Sequence, residues 1–305
     1  MKVFVTGGTG VVGTRAVPAL VAAGHEVTAV ARSGAKAALV RSMGAAPVTV
    51  DLFDAGAVRA AVEDHDAVAH LATNIPPMTQ AARPKAWVTN ERLRSEASNH
   101  LVDAALAAGA AHYVQESICF PYLDQGDTWI DEGYPLDHAG VFAGAADAEA
   151  AADRFTTAGG AGVVLRFAQF HGTGSSHVAS FNALTRRRIN PFLGPPEAYS
   201  SFVHADDAGT AVAAALTIPA GTYNVADDEP LTRFDAGRAV AAALGVKAPH
   251  AVPAAARAIM PALAKALVKS LRISNAKLKR ESDWSPRHPS IRGSWSTDVD
   301  AGGPS

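Results

Sequence analysis

The residues best suited to chemistry stand at the start of the chain. Thr6-Gly7-Gly8-Thr9-Gly10-Val11-Val12-Gly13 satisfies both TGxxGxxG and GxGxxG. Glycines at these spacings let the backbone turn sharply, approach a pyrophosphate and pack a helix close to a strand. The N–H groups that open such a helix face the anion with the positive end of the helix dipole. Gly7, Thr9, Gly10, Val11, Val12 and Gly13 are therefore the expected seat of a dinucleotide. A free ribose 2′-hydroxyl calls for an acid about 20 residues further on. Val30-Ala31-Arg32-Ser33 offers none. Arg32 can grip a 2′-phosphate, with Ser33 and Arg15 or Lys36 in support, so the expected cofactor is NADP(H) rather than NAD(H).

The remaining reactive side chains are sparse. The 11 histidines include no HExxH pair. His65 with His70, and His171 with His177, are too irregularly spaced to share one face, so no metal site is expected. GxSxG is absent, which leaves a nucleophile elbow unsupported. The single Cys119 excludes an intrachain disulfide framework. A thiol pKa of about 8.5 also makes it a poor acid. His204 before Asp206-Asp207 reads as a helix cap. Phe120, Tyr122, Trp129 and Tyr134 lie in the loop from Ile118 to His138. They read either as the wall of an apolar, planar pocket or as a loop pinned to the core.

Short β-like runs alternating with helical stretches must position these groups. Strands are expected at Lys2–Thr6, His25–Ala31, Ala46–Val50, Asp66–Ala72, Ala111–Ser117 and Gly162–Phe167. Helices are expected at Val11–Ala23, Ala35–Met43, Asp54–Glu63, Pro84–Ala108 and Ala143–Thr157, with Pro18 kinking or shortening the first. Alternation of this kind implies parallel pairing with right-handed crossovers. The expected architecture is a Rossmann-type, doubly wound α/β sheet. Residues 1–168, rejoined by about 201–226, would form the cofactor domain. Residues 169–200 and 227–305 would form a smaller, mostly helical substrate lobe with an amphipathic Ala254–Leu271 helix and a disordered tail. The 305 residues are 48% hydrophobic and 18% charged, with net charge −2. That composition supports a sizeable core and supplies no global field for nucleic acid or an anionic membrane. No long apolar span or signal segment is evident. The expectation is a cytoplasmic monomer or homodimer acting on a small molecule.

The chain resembles the short-chain dehydrogenase/reductase superfamily, in its extended, epimerase/dehydratase-like branch. The resemblance runs over nearly the whole length. It is carried by the 6–13 loop, by Asp51-Leu52, Leu71-Ala72-Thr73 and Val114-Gln115-Glu116-Ser117, and by Leu165-Arg166-Phe167 through Gly172. Phe202-Val203-His204-Ala205-Asp206-Asp207, Tyr223-Asn224-Val225 and Trp284-Ser285-Pro286 extend it. The resemblance implies that Asp51 and Leu52 meet adenine and that Leu71, Ala72 and Thr73 line the nicotinamide ribose. It implies that Ser117 is the catalytic serine near the nicotinamide, that Phe167 to Phe170 close the pocket, and that Ile118 faces substrate; His171, where the family often has a pocket tyrosine, reads either as a substrate contact or as a structural loop histidine.

One departure outweighs these matches. The family carries Tyr-x-x-x-Lys on the helix after the serine strand, as general acid and its activator. None of the five tyrosines is followed four residues later by lysine. Alignment on Glu149 puts Val141 and Ala145 in the two positions. Hydride transfer to a carbonyl builds alkoxide charge and needs a donor. The first reading is a ketoreductase with another donor: Ser117, Tyr122, or a phenolic hydroxyl on the substrate itself, as in ketoreductases of aromatic polyketide pathways. The second is a nucleotide-sugar epimerase or dehydratase, with Arg166 and Arg186-Arg187-Arg188 on a diphosphate. The third is a non-catalytic NADP(H) sensor of the NmrA type.

Overall fold

The computed structural model describes residues 1–77, 80–81, 83–250 and 268–295. Val3 to Thr6 are all buried within β1 (Lys2–Thr6), as suits a strand covered on both faces in a parallel sheet. The other strands are β2 (Glu26–Val30), β3 (Ala46–Val48), β4 (Ala67–His70), β5 (His112–Ile118), β6 (Trp129–Ile130), β7 (Ala161–Phe167), β8 (Gln169–His171), β9 (Tyr199–Ser200), β10 (Phe202–His204), β11 (Gly221–Val225), β12 (Leu231–Thr232) and β13 (Arg272–Ile273). Seven of them form one sheet in the order β3-β2-β1-β4-β5-β7-β11. Every pairing in it is parallel.

The principal helices are α1 (Gly13–Ala22), α2 (Gly34–Ser42), α3 (Ala55–Val62), α4 (Val88–Arg92), α5 (Ser98–Ala108), α6 (Ala143–Thr157), α7 (Ser176–Arg186), α8 (Ala205–Ala214), α9 (Arg233–Ala243), α10 (Ala276–Glu281) and α11 (Ile291–Ser294). Alternate β1 residues feed two cores. Val3 and Val5 join Val17 and Val212 on one face. Phe4 joins Val58, Leu101 and Phe155 on the other. Helices thus cover both faces, and the expected doubly wound sheet is the observed one. The chain leaves β1 toward β2 and returns beside it as β4. The carboxyl ends of β1 and β4 therefore open a crevice at the switch in strand order. The remaining strands pair in twos: β8 with β10, β9 with β12, and β6 with β13. Around them a third core gathers Phe192, Phe202, Leu231 and Trp295. No described helix is long and apolar enough to cross a membrane.

Two helix expectations change. α1 runs unbroken through the exposed Pro18, whose missing N–H sits on the solvent side. The single helix expected over Pro84–Ala108 is a 3₁₀ turn at Pro84–Trp87, then α4, a π turn at Leu93–Ala97, and α5. The His70 ring reaches from β4 to the Leu93 carbonyl at 3.0 Å, at the place where the winding widens. Gly109 ends α5 in the left-handed conformation, φ +70, a backbone state glycine adopts without steric cost. The expected Ala254–Leu271 helix lies outside the described residues up to 267, as does the tail after 295.

Candidate active site

The glycine loop fills the switch-point crevice, and its glycines are needed for contact. Gly7 has φ +71, and a Cβ there would stand 2.4 Å from the Leu71 carbonyl oxygen. The loop therefore lies directly on the end of β4. A Cβ on Gly13 would stand 2.1 Å from the Gly7 carbonyl oxygen, so α1 begins against the loop itself. The Gly10 N–H donates to the Gly7 carbonyl at 2.9 Å, which closes the turn and leaves Gly10 exposed. In the first turn of α1 the Thr14 N–H donates to the Gly10 carbonyl at 3.0 Å, and the Arg15 and Ala16 N–H groups to the Val12 carbonyl at 3.0 and 2.8 Å, so what the mouth offers an anion is the close approach of the loop backbone and the positive end of the helix dipole. The cradle fits a dinucleotide pyrophosphate. Around it, Thr9 and Val11 are half-buried and Val12 is buried.

The rim carries the groups expected to meet the rest of the cofactor. Arg32 is exposed immediately after β2. The Ser33 hydroxyl accepts from the Lys36 N–H at 3.3 Å and caps α2, so its role in holding the turn is independent of any ligand. Arg15 is not available to a phosphate. Its guanidinium donates to Asp206 at 3.2 Å, Thr14 Oγ at 2.7 Å and the Thr173 carbonyl at 2.8 Å. Asp51 is exposed and accepts from the Phe53 N–H at 3.0 Å, and the Leu52 carbonyl accepts from His100 at 3.1 Å. Leu71 is buried, Ala72 half-buried and Thr73 exposed along the segment leaving β4.

Both expected catalytic hydroxyls are committed elsewhere. Ser117 is fully buried, and its Oγ donates to Glu149 at 2.6 Å. Glu149 receives Arg166 through Nε at 2.9 Å and a terminal nitrogen at 2.6 Å. The other terminal nitrogen of Arg166 donates to the Tyr122 hydroxyl at 2.8 Å. Tyr122, also fully buried, donates in turn to Asn224 Oδ1 at 2.9 Å. Its burial pushes the phenol pKa up, away from a useful acid. Ser117 and Tyr122 therefore brace a buried ion pair rather than face a substrate. Cys119 is buried as well, its thiol pushed up by desolvation, with Sγ directed at the Arg166 carbonyl. A second buried pair joins Arg94 to Glu116 at 2.7 Å.

The pocket residues divide in the same way. Ile118 is half-exposed where β5 ends, and Phe170 is half-buried. The Phe167 ring is fully buried, inclined at 41° to the Phe170 ring with centroids 5.4 Å apart. His171 does not face the cleft. It is fully buried, parallel to Trp295 at 6.0 Å and edge-on to Phe202, and desolvation pulls its pKa down to about 3. Strand pairing places it beside His204, and the His204 ring lies 3.8 Å from that of His288, inclined at 32°. His204, Asp206 and His288 bring ligand atoms within 4.8 Å of one another. No sequence spacing announces that group, because His288 comes from a segment distant from His204 and Asp206. His204 also caps α8 through the Asp206 N–H at 3.2 Å, as its position implied.

Residues 7–174 match a protein family described as NAD(P)H-binding. Over 304 residues the chain is 34% identical to a 3-diazoavenalumate denitrifying reductase of a Streptomyces species, covering 96% of this chain and 98% of that one. The chain belongs to this NAD(P)H-binding family. Among solved structures it is similar to the UDP-glucose 4-epimerase of Thermus thermophilus, in complex with NAD. Identity there is 25%, the TM-score 0.74, and the coverage 96% of this chain and 97% of that one. It is also similar to DesIV, the dTDP-glucose 4,6-dehydratase of Streptomyces venezuelae with NAD and TYD bound, at 21% identity and TM-score 0.76. That match covers 94% and 92% of the two chains.

This NAD(P)H-binding oxidoreductase is an extended short-chain dehydrogenase/reductase with an altered centre. At the positions that alignment on Glu149 predicts for the family's tyrosine and lysine, Val141 is half-exposed just before α6 and Ala145 is fully buried inside it. A Cβ on Gly144 between them would stand 2.7 Å from a Glu91 carboxyl oxygen and 3.1 Å from Arg94 Cβ, so a side chain there would require both neighbours to shift. Glu91 and Arg94 of the neighbouring helical segment thus crowd the start of α6.

Proposed function

We propose that this enzyme is an NADPH-dependent reductase that delivers hydride to an acceptor needing no proton from the protein, an aryl diazonium group above all. The single observation carrying this is the proton-donor position, filled by Val141 and Ala145 while Ser117 and Tyr122 are buried in an ion-pair network. A reduced nicotinamide held on the glycine loop supplies hydride. A ketone that accepts hydride becomes an alkoxide, which must be stabilised or protonated. A diazonium ion is a cation, and hydride neutralises it to a diazene. The diazene then loses dinitrogen and leaves the arene, and its own N–H supplies the hydrogen. Aryl diazonium ions survive in water long enough to be substrates; alkyl ones do not. The denitrifying reductase at 34% identity supports this acceptor class, and the exposed Arg32 with no acid beside it supports NADPH.

A ketone with a neighbouring phenolic hydroxyl is the second acceptor the same observation favours, because that hydroxyl can hold the developing alkoxide. Epimerase or dehydratase chemistry starts by removing a proton from a hydroxyl, and no base stands at the tyrosine position. Arg166 is spent on Glu149, and Arg186 to Arg188 are exposed at the end of α7. The test is a coupled assay with NADPH and three substrates: 4-hydroxybenzenediazonium, 2-hydroxyacetophenone and UDP-glucose. NADPH oxidation matched one for one by dinitrogen and phenol, and absent with boiled protein, is the expected result. Oxidation only with the ketone transfers the reading to the second acceptor. No oxidation with either one overturns both.

A further inference from the structure

His204 ends β10, Asp206 stands in the first turn of α8, and His288 arrives from the segment between α10 and α11. Their ligand atoms lie within 4.8 Å of one another. We propose that these three side chains form a binding site for a divalent transition metal such as zinc, with the fourth coordination position left to water. The inference is independent of the reaction proposed above.

Two imidazoles and a carboxylate are a donor set that zinc accepts, with bonds of about 2.0–2.2 Å. Tetrahedral bonds of that length set ligand atoms roughly 3.4 Å apart. His204 Nδ1 and Asp206 Oδ2 already stand 3.6 Å apart. The His204 and His288 rings lie 3.8 Å apart at 32°. A turn of His288 about its side-chain bonds, with the exposed Asp206 free to follow, closes the set. Each ligand also has a support of its own, the kind of neighbour that orients metal ligands. Gly172, with φ +94, leaves room for the His204 ring: a Cβ there would stand 2.6 Å from Nε2. Nδ1 accepts from the Asp206 N–H at 3.2 Å. An accepting Nδ1 is unprotonated, which is the state a metal requires, and the ion would replace that long hydrogen bond. Arg15 holds Asp206 Oδ1 at 3.2 Å, which leaves Oδ2 for the ion. Asp207, fully buried, accepts the backbone N–H groups of Arg287 and His288 at 2.9 Å each, so the segment carrying His288 is clamped to α8. Among the permanent charges acting on His204, those of Asp206 and Asp207 outweigh that of Arg15, and the balance favours a cation. His171, fully buried, stands edge-on to His204 at 5.0 Å, so an ion enters from the exposed Asp206 side. Once bound, it would tie the segment of His288 to β10 and α8.

The experiment is calorimetric titration of the full chain, stripped with a chelator, with Zn²⁺, beside thermal melts with and without the ion. Wild type is expected to take up one Zn²⁺ per chain and to melt higher with it. His288→Ala and Asp206→Asn should each weaken uptake at least about tenfold and lose the rise in melting temperature. His65→Ala, a histidine outside the group, should keep both. No uptake by wild type overturns the inference, as does wild-type affinity in His288→Ala. A loss in His65→Ala equal to that in His288→Ala would mark scattered, adventitious binding and overturn it too. Should the alanine variant not fold, His288→Gln takes its place on the same clamped backbone, and wild-type affinity there is equally fatal.

Discussion

In the cofactor reading proposed above, a ribose 2′-hydroxyl at the turn after β2 would meet no carboxylate, and a 2′-phosphate would meet Arg32. The side chain is exposed and takes part in no ion pair among the described residues, so it is open to a ligand. A charge-assisted hydrogen bond of this kind contributes about 1.5–3 kcal/mol, equivalent to roughly 10- to 100-fold in affinity. Arg32→Ala should therefore raise the NADPH dissociation constant by about that factor and leave that of NADH nearly unchanged. Fluorescence titration with both cofactors measures it, and equal losses for the two would remove Arg32 from cofactor choice. Arg32 is legible in the sequence because its position follows from counting along a motif. His171 is not, since nothing in its neighbours says which face of a three-residue strand it takes. Its burial against Trp295 depends on a partner more than a hundred residues away.

The elements around β5 explain why the sequence hides the true place of Ser117. Side chains alternate along a strand, and the order Gln115, Glu116, Ser117 does not reveal which of them looks out of the sheet. In the fold Ser117 looks at α6, where the Glu149 carboxylate, already paired with Arg166 of β7, accepts its hydroxyl. The network joins β5, α6, β7 and, through Tyr122 and Asn224, β11. A buried ion pair stays favourable only when its remaining hydrogen-bonding groups are satisfied. Ser117→Ala should therefore lower stability by about 1.5–3 kcal/mol, and Tyr122→Phe by a comparable amount, with kcat within about twofold of wild type. Thermal melts beside steady-state rates separate the roles: a hundredfold fall in kcat with an unchanged melting temperature would return either hydroxyl to catalysis. The strand and most helix positions are legible at this scale, because apolar runs and glycine stops are local. The π turn is not, because it arises where His70, from another element, meets the Leu93 carbonyl.

The molecule as a whole holds buried titratable groups that bracket its stable pH range from both sides. His70 is pulled down to about 4 and His171 to about 3, both by desolvation. As pH falls below about 6.5 the unfolded chain takes up these protons and the folded one does not, so stability drops from there toward pH 3. Asp227 works in the other direction. It lies in the turn joining β11 to β12, buried, with neither carboxyl oxygen hydrogen-bonded among the described residues. Burial, then the charges of Asp228 and Glu229, push it up to about 9. Between about pH 4 and pH 9 the unfolded chain is ionised there and the folded chain is protonated. The folded state thus holds the extra proton, and stability falls as pH rises through that window. Asp227→Asn removes the titration while keeping the shape. Its melting temperature should match wild type near pH 4 and exceed it increasingly toward pH 9, by about 2–4 °C for each kcal/mol relieved. Scanning calorimetry from pH 4 to 9 checks this; a difference that stays constant across the range would assign the cost of Asp227 to packing rather than to charge.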